Sequence, residues 1–428
     1  RGAGASPMAG FVATKLDLVR VGVVGIGARG LSAVKRLAEH IPHVQVTAIC
    51  DISQERLDLV KKNWAEQYGA GKAPNGFPLP KEYCGEHAWK DLCQDPNVDV
   101  VYVTTHWLLH TPVSVHAMRC GKHALMETPA GVTVDECWDL VETAEKMRVH
   151  CMQLENCCYG EEELLALNMC RQNVFGQLVH AQCAYLHEMR KSMVTWRWNN
   201  WRFWFNQAHK GNYYPTHGLG PVCQYMSVNR GDRLTTLVSM ESDQFAVEEW
   251  MRDNLPEDDR RRKMKVAAGD HNETLIRTAK GRLITVTHNV MNPRPYSRIN
   301  YIQGTHGMLA GYPLQIFIEG KNDGDFDPKL TNEFRKEYMH PLWKAVSEAA
   351  LKQGGHGGMD FIMDLRWSYC LRHGLPLDID VYDTATWSCV AALSERSVRE
   401  QRFFEVPDFT RGGWETAEPL GIVTADLN

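Results

Sequence analysis

The stretch Leu18-Val19-Arg20-Val21-Gly22-Val23-Val24-Gly25-Ile26-Gly27-Ala28-Arg29-Gly30 decides the fold of the first part of this chain. An apolar run typical of a buried strand leads directly into the motif Gly25-x-Gly27-x-x-Gly30, and an amphipathic helix follows over Leu31–Ala38. A second apolar run, Val44–Cys50, ends in Asp51. Strand, glycine turn, helix, strand and acid in this order predict a Rossmann domain that binds a dinucleotide.

Each residue of the motif has a separate expected role. Gly25 permits the tight turn after the strand, Gly27 lets the backbone approach the pyrophosphate, and Gly30 lets helix and strand pack closely. Asp51 is expected to bind the ribose hydroxyls and to repel a 2′-phosphate, which favours NAD over NADP. The alternative is that Asp51 caps the helix that starts near Ser53, and both roles are compatible.

Length and composition limit the class of protein. The chain has 428 residues, 44% of them hydrophobic and 23% charged, which predicts a globular protein of two domains. The net charge is −5 and the sequence has no long basic run, so it does not indicate a nucleic-acid or anionic-membrane partner. No run of about 18 apolar residues predicts a membrane span.

Cysteine usage indicates where the chain folds. The 13 cysteines include no CxxC pair, so free, mostly buried thiols and folding in a reducing compartment are expected, either in the cytoplasm or before export. Paired metal-ligand spacing is also missing, and no metal is expected. The chain begins Arg1-Gly2-Ala3-Gly4 without a methionine, so removal of a leader stays open.

The order of predicted elements divides the chain into three parts. Residues 1–17 are expected to form a loose arm, residues 18–150 the NAD-binding Rossmann domain with a doubly wound parallel sheet, and residues 151–428 a substrate-binding α+β domain with an open, mostly antiparallel sheet. In addition to those already named, strands are predicted at 98–103, 122–126, 178–185, 235–240, 283–288 and 299–303, and helices at 161–171, 332–353, 358–373 and 381–400.

Two motifs follow strands of the first domain. They are Thr104-Thr105-His106-Trp107-Leu108-Leu109-His110-Thr111-Pro112 and Met126-Glu127-Thr128-Pro129. Cofactors bind at the carboxyl ends of parallel strands, so we expect Trp107, His110, Glu127 and Thr128 to contact NAD. Their order resembles that of the Gfo/Idh/MocA oxidoreductases, in which the second motif is usually Glu-Lys-Pro. Thr128 replaces the lysine that helps to move protons there, which weighs against an ordinary sugar dehydrogenase.

Motifs of the second domain extend the resemblance. The chain contains Gly211-Asn212-Tyr213-Tyr214-Pro215-Thr216-His217-Gly218-Leu219-Gly220-Pro221, an aromatic and basic segment over 196–204, Asn292-Pro293-Arg294-Pro295-Tyr296, and Glu155-Asn156-Cys157-Cys158-Tyr159. With Arg29-Gly30, these segments resemble the NAD-dependent glycoside hydrolases of family 109 over residues 18 to 420. The activity known for that family is α-N-acetylgalactosaminidase.

The resemblance implies two sets of binding residues. The further cofactor contacts are Arg29, Asn156, Arg197 and Trp201, and the substrate contacts are Tyr185, Arg202, Tyr214, Pro215, Thr216, His217 and Tyr296. Aromatic rings stack on the apolar face of a sugar while arginine and histidine bind its hydroxylated rim. The alternative is that the aromatic residues belong to the core. His217 differs from a typical structural histidine because glycine and proline surround it on a loop or at a helix start.

No pair of carboxylates for ordinary glycoside hydrolysis is recognisable in the sequence. The resemblance implies oxidation at C3, elimination across C2 and C1, addition of water and reduction, with NAD recycled. We assign His217 as the base for the C3 hydroxyl. Tyr296, Tyr214 and Tyr185 are all candidates for sugar binding and for the C2 proton, and Tyr296 is named with His217 as a catalytic residue. His356, in Gly354-Gly355-His356-Gly357-Gly358, starts a helix and is a further candidate.

Two other functions stay open from the sequence. One is a sugar dehydrogenase of the Gfo/Idh/MocA type, which would accumulate NADH, and the other is a non-catalytic NAD or sugar sensor. The expected partner of the hydrolase is a small molecule or glycan ending in α-N-acetylgalactosamine, and a homo-oligomer is a possibility the sequence does not decide.

Overall fold

The computed structural model describes residues 6–196 and 200–427. The first domain contains a six-stranded sheet with the order β3-β2-β1-β4-β5-β6, and every pair in it is parallel. Its strands are β1 (Val19–Val24), β2 (Val44–Asp51), β3 (Lys81–Cys84), β4 (Val100–Val103), β5 (His123–Met126) and β6 (Cys151–Gln153). Its helices are α1 (Ala28–His40), α2 (Gln54–Tyr68), α3 (Trp89–Gln94), α4 (Trp107–Arg119) and α5 (Val134–Met147).

The strand order places the ligand crevice. Connections from β1 run to one side through β2, and those after β3 return to the other side of β1 through β4. In open parallel sheets, ligands bind outside the carboxyl ends of the strands at this reversal. The predicted Rossmann domain is therefore confirmed, although β6 lies beyond the boundary placed at residue 150 and pairs with β5 in the first sheet.

The second domain is built on an eight-stranded sheet with the order β13-β12-β11-β7-β10-β9-β8-β14. Only β7 and β10 pair in parallel, so the predicted open and mostly antiparallel sheet is confirmed for the described residues. The strands are β7 (Leu178–Leu186), β8 (Leu234–Glu241), β9 (Asn272–Thr278), β10 (Leu283–Asn289), β11 (Tyr301–Gly304), β12 (Gly307–Ala310), β13 (Gln315–Ile318) and β14 (Phe404–Glu405).

Eight helices accompany this second sheet in the described part of the chain. They are α6 (Glu161–Arg171), α7 (Trp201–Ala208), α8 (Thr216–Tyr225), α9 (Ala246–Asn254), α10 (Pro328–Tyr338), α11 (Pro341–Gln353), α12 (Met359–His373) and α13 (Val381–Glu400). The single helix predicted over 332–353 is wrong, because the chain breaks between α10 and α11. Pro341 begins α11, and a proline disfavours helical geometry at the residue before it.

The last two helices return to the first domain. Gln153 of β6 donates its backbone N–H to Thr384 of α13 at 2.9 Å, and Ala130 donates to Ser388 at 3.0 Å. Arg36 of α1 donates to Asp364 of α12 at 2.6 Å. Because these contacts are buried, the end of the chain is part of the packing that fixes the cofactor domain.

The arm predicted to be loose is ordered against the body of the protein over residues 6–17. Met8 is 3% exposed, the backbone N–H of Leu16 donates to Leu371 at 3.1 Å, and Arg148 donates to the carbonyl of Pro7 at 2.6 Å. The prediction is wrong for residues 6–17, because they form long-range contacts with the rest of the chain that composition does not reveal.

The cysteines follow the prediction of free thiols. All 13 are free and most are buried. Burial, helped by the charge of Asp51, raises the pKa of Cys50 to about 12, so that thiol stays protonated at neutral pH. Within the described residues, no helix combines the length and apolar character needed to cross a bilayer.

Candidate active site

The glycine loop between β1 and α1 has the geometry that a dinucleotide requires. Gly25 has a positive φ of 94° and donates its N–H to Cys50 at 2.8 Å. A Cβ built on Gly30 would lie 1.8 Å from the carbonyl oxygen of Gly25, whereas one on Gly27 would meet nothing within 4 Å. Gly30 is therefore required by packing, and Gly27 leaves open space beside the N-terminus of α1, where phosphate oxygens are stabilised.

Asp51 both supports the glycine loop and shapes the turn into α2. One carboxylate oxygen accepts the N–H of Ile26 at 2.6 Å, and the other accepts the N–H of Ser53 at 2.9 Å. A carboxylate has about four acceptor positions, so capacity remains for ribose hydroxyls. The two roles considered for Asp51 from the sequence are therefore compatible in the structure.

Replacing Asp51 with alanine is expected to weaken NAD binding more than sugar binding. The change removes the predicted acceptor for the ribose hydroxyls and releases the N–H of Ile26 in the glycine loop. Isothermal titration of the variant with NAD, and separately with N-acetylgalactosamine, measures both effects. Unchanged affinity for NAD would contradict the ribose assignment, and acquired affinity for NADP would support it.

Arg29, Glu127 and Asn156, all predicted cofactor contacts, meet at one charged cluster. Arg29 donates to Glu127 at 2.6 Å and to Asp360 at 2.9 Å, and Asn156 donates to Asp360 at 2.7 Å. His356 lies 2.8 Å from Asp360, so it joins this cluster at the mouth of the crevice. Burial alone would raise the pKa of Asp360, but the His356 hydrogen bond and the charge of Arg29 hold it well below its usual value.

His110 fixes two loops together. Its ring nitrogens lie 2.7 Å from the carbonyl oxygen of Pro129 and 3.0 Å from that of Thr105, and the residue is 1% exposed. Burial lowers the pKa of His110, so the neutral ring has one N–H and donates to one of these two carbonyl oxygens. The ring lies between the two loops that were predicted to contact NAD, and its own contact with the cofactor stays a prediction.

Thr128 connects the two domains. Its hydroxyl donates to the phenol oxygen of Tyr214 at 2.9 Å, and both residues are buried. The position that holds lysine in most Gfo/Idh/MocA proteins is therefore in direct contact with a predicted substrate residue.

Trp107, Trp201 and Arg202 form an aromatic wall beside Tyr214. The Trp107 ring lies 4.9 Å from that of Trp201 and 5.6 Å from that of Tyr214. The guanidinium of Arg202 lies 4.7 Å from the Trp107 ring and 4.8 Å from the Tyr214 ring. Its buried Nε has no hydrogen-bond partner among the described residues. Arg197, predicted for the same region, lies outside the described residues.

His217 is the second residue of α8. Pro215 and Thr216 are buried and start the helix, so they position His217 and have little surface for a ligand. The ring of His217 is packed edge-on against Tyr185 at 5.4 Å and Tyr214 at 4.9 Å. Three predicted substrate residues are thus in mutual contact.

Glu155 lies on the other side of His217. Its carboxylate is 2.6 Å from Nδ1 of the histidine, and the residue is 0% exposed. No role was assigned to Glu155 from the sequence, nor to Asp360 in the charged cluster. The available signal for Glu155 was its place at the start of the motif 155–159, two residues after β6, and for Asp360 its place in the first turn of a helix after a glycine-rich loop.

Tyr296 completes the tyrosine group at its more open side. It is 37% exposed, its ring lies 6.2 Å from that of Tyr185, and its hydroxyl accepts from Arg298 at 3.1 Å. Desolvation raises the pKa of Tyr296 and also that of Tyr214. Both phenols therefore keep their protons at neutral pH and are suited to donating hydrogen bonds.

Glu155, Cys157 and His217 also have the donor atoms of a small metal site, all within 4.8 Å of one another. The distance between Glu155 and His217 favours a hydrogen-bonded pair instead. Oε1 of Glu155 and Nδ1 of His217 are only 2.6 Å apart, which is a hydrogen-bond distance.

Comparison with known proteins matches both domains. Residues 159–416 match the family described as "Glycosyl hydrolase 109, C-terminal domain", and residues 19–154 match "Oxidoreductase family, NAD-binding Rossmann fold". A glycosyl hydrolase family 109 protein of Shewanella sp. (strain W3-18-1) is 45% identical over 97% of this chain and 90% of that protein.

Solved structures show the same fold at low identity. Levoglucosan dehydrogenase in complex with NADH and levoglucosan has a TM-score of 0.66 at 18% identity, covering 91% of this chain and 99% of that one. Scyllo-inositol dehydrogenase from Lactobacillus casei with bound NAD(H) and scyllo-inositol has a TM-score of 0.63 at 12% identity, covering 91% of this chain and 99% of that one. The first domain is thus an NAD-binding domain, and the residues of its glycine loop fit that cofactor.

Proposed function

This chain belongs to glycosyl hydrolase family 109, and we propose on that basis that it removes terminal α-N-acetylgalactosamine from glycans, with NAD recycled in each turnover. The observation that carries the proposal is the position of His217. It contacts two tyrosines of the second domain and a carboxylate at the edge of the NAD-binding sheet. A sugar held among these groups lies between the cofactor domain and the aromatic wall.

His217 acts as the base for the C3 hydroxyl of the sugar. Its Nδ1 is engaged by the carboxylate of Glu155, which leaves Nε2 as the nitrogen that accepts the proton. Bound NAD supplies reversible oxidation of the sugar at C3, which acidifies the neighbouring C2 proton and is reversed before the product leaves.

The tyrosines bind the sugar and donate hydrogen bonds to it. Burial raises the pKa of Tyr214 and of Tyr296, so both phenols keep their protons and donate to oxygens that gain negative charge during elimination. A phenol that keeps its proton does not itself remove the C2 proton. Tyr185 lies between them in ring contact with both. Arg202, with its free Nε, binds an oxygen acceptor of the substrate such as the amide carbonyl.

One assay separates this function from its alternatives. Purified protein is incubated with a chromogenic α-N-acetylgalactosaminide, and release of the chromophore is followed together with NADH absorbance. Release without accumulation of NADH supports the hydrolase. NADH in amounts equal to oxidised free sugar would support a dehydrogenase, and bound NAD with neither signal would support a sensor.

Replacing Thr128 with lysine is not expected to improve hydrolysis, and we expect the rate of hydrolysis to fall. The new ammonium group would be buried against Tyr214, where it breaks the 2.9 Å hydrogen bond and has to displace a ring of the substrate site. Turnover of the chromogenic substrate measures the effect, with Thr128→Ser as the control that keeps the hydroxyl. A large gain in hydrolysis from the lysine would show that the departure from Glu-Lys-Pro has been misinterpreted.

A further inference from the structure

We propose that Glu155 is a positioning residue that holds His217 by its Nδ1 and stabilises the ring once it carries a second proton. This role rests on the proposed function, since it is through His217 that Glu155 acts on the sugar. Glu155 is 0% exposed, and its Oε1 is engaged by Nδ1 of His217 and by the N–H of Cys157, so we place its action in the histidine.

The local structure fixes the carboxylate before the histidine reaches it. Glu155 follows β6 and begins a short 3-10 turn, Asn156–Tyr159, whose first free N–H, that of Cys157, donates to Glu155 Oε1 at 3.1 Å. The same oxygen lies 2.6 Å from Nδ1 of His217, so Nδ1 donates to it. The opposite nitrogen, Nε2, is then left without a proton and is the basic position of the ring.

Two glycines of α8 allow this approach. A Cβ on Gly218 would lie 2.5 Å from the backbone nitrogen of Ala184 in β7. A Cβ on Gly220 would lie 3.0 Å from Cγ of Glu155 and 3.1 Å from the ring of Trp387. The residues Gly218-Leu219-Gly220 after His217 are thus explained by close packing, which brings the first turn of α8 onto the carboxylate.

Among the groups around the His217 ring, Glu155 carries the negative charge that can stabilise the protonated ring. The titratable groups that face His217 are Glu155 and Cys157 after β6, Tyr185 of β7, and Tyr214 before α8. Burial would raise the pKa of Glu155, but the charge and hydrogen bond of His217 and the N–H of Cys157 hold it below its usual value. Burial raises the pKa of Cys157 and of Tyr214, which stay neutral. Glu155 is therefore the anion that stabilises a protonated His217.

Four variants test this role by their kinetics: Glu155→Gln, Glu155→Asp, His217→Ala and the double variant of Glu155→Gln with His217→Ala. We expect Glu155→Gln to lower kcat by about 10²–10⁴-fold with little change in KM, as for loss of the orienting acid beside a catalytic histidine. The acidic limb of its pH profile moves to lower pH, because an amide does not stabilise the protonated ring. Glu155→Asp keeps the charge and restores part of kcat.

The double variant is the sharpest arm. If Glu155 acts through His217, the double variant is no slower than His217→Ala alone. The rate losses caused by two residues that act as one unit do not multiply. Independent, multiplying losses would overturn the proposal, as would normal kcat in Glu155→Gln. Circular dichroism and NAD binding show whether each variant is folded, and Glu155→Asp keeps the test valid if the glutamine variant is not.

A spectroscopic arm does not depend on hydrolysis. A histidine N–H bonded to a buried carboxylate gives a far-downfield proton resonance, which we expect in the wild type and expect to be lost in both His217→Ala and Glu155→Gln. If the wild type shows this resonance and both variants lose it, but no α-N-acetylgalactosaminide is hydrolysed, the proposed function is wrong while the hydrogen bond between His217 and Glu155 is confirmed. A spectrum unchanged by Glu155→Gln would overturn the positioning role whatever the activity.

Discussion

Replacing His217 with alanine is expected to slow turnover of an α-N-acetylgalactosaminide by about 10²–10⁴-fold, the usual scale for loss of a general base. NAD binding should survive, because the glycine loop and Asp51 belong to the other domain. Sugar binding weakens as well if the imidazole accepts a hydrogen bond from the C3 hydroxyl before reaction. Steady-state kinetics with the chromogenic substrate measure the loss.

The partial reactions locate the step that is lost. Exchange of the C2 proton with deuterated water requires prior oxidation at C3, so the His217→Ala variant should lose exchange and hydrolysis together. Normal exchange with lost hydrolysis would move His217 to departure of the leaving group, and normal hydrolysis would remove it from the mechanism. His180→Ala is the matched control, because His180 lies on β7 but its ring contacts Tyr301.

The first domain could be predicted from sequence because its signals are local. The glycine motif, the alternation of strand and helix and the acid after β2 all lie within neighbouring segments, and each element needs only its own pattern of apolar residues. The second sheet was also predictable in kind. Its strand order was not, since β7 pairs with β10 and β11 rather than with its neighbours in sequence.

The site was predicted as a set of residues but not as an arrangement. His217 and Tyr214 were identified by their motif, yet the partner of His217 lies 62 residues away in sequence and the Asp360 partner of Arg29 lies 331 residues away. Such pairs depend on how α8 packs against β7 and the turn after β6, and on how α12 packs against α1 and β1. The two carbonyl oxygens beside the His110 ring, those of Thr105 and Pro129, likewise lie on separate loops whose contact the sequence does not predict.

Aromatic residues gave the least certain interpretation from sequence because core and sugar-binding roles share the same composition. The structure shows that they overlap here. Trp107 is 3% exposed and packed against other rings, yet its neighbour Arg202 keeps a free nitrogen inside the same wall. A buried cation beside aromatic rings is stabilised by their negative faces, as the Arg202 guanidinium is beside Trp107 and Tyr214.

Gly27→Ala and Gly30→Ala are expected to abolish tight NAD binding for different reasons, and together they test the cofactor site. A methyl group on Gly27 meets no protein atom within 4 Å, so this variant folds normally and loses NAD because the methyl occupies the space that the pyrophosphate needs. A methyl group on Gly30 would lie 1.8 Å from the carbonyl oxygen of Gly25 and 2.7 Å from the hydroxyl of Thr104, so the loop itself must move.

The two variants should therefore separate in thermal unfolding. Gly27→Ala should keep the Tm of the NAD-free wild type. Gly30→Ala should lower the Tm, because the new Cβ clashes with the backbone carbonyl of Gly25 and no side-chain rotation can relieve that clash. Fluorescence titration with NADH measures affinity in both. Tight NAD binding by a folded Gly27→Ala variant would show that the pyrophosphate lies elsewhere. Tight NAD binding by a folded Gly30→Ala variant would show that the loop can move at Gly25 without loss of the cofactor site.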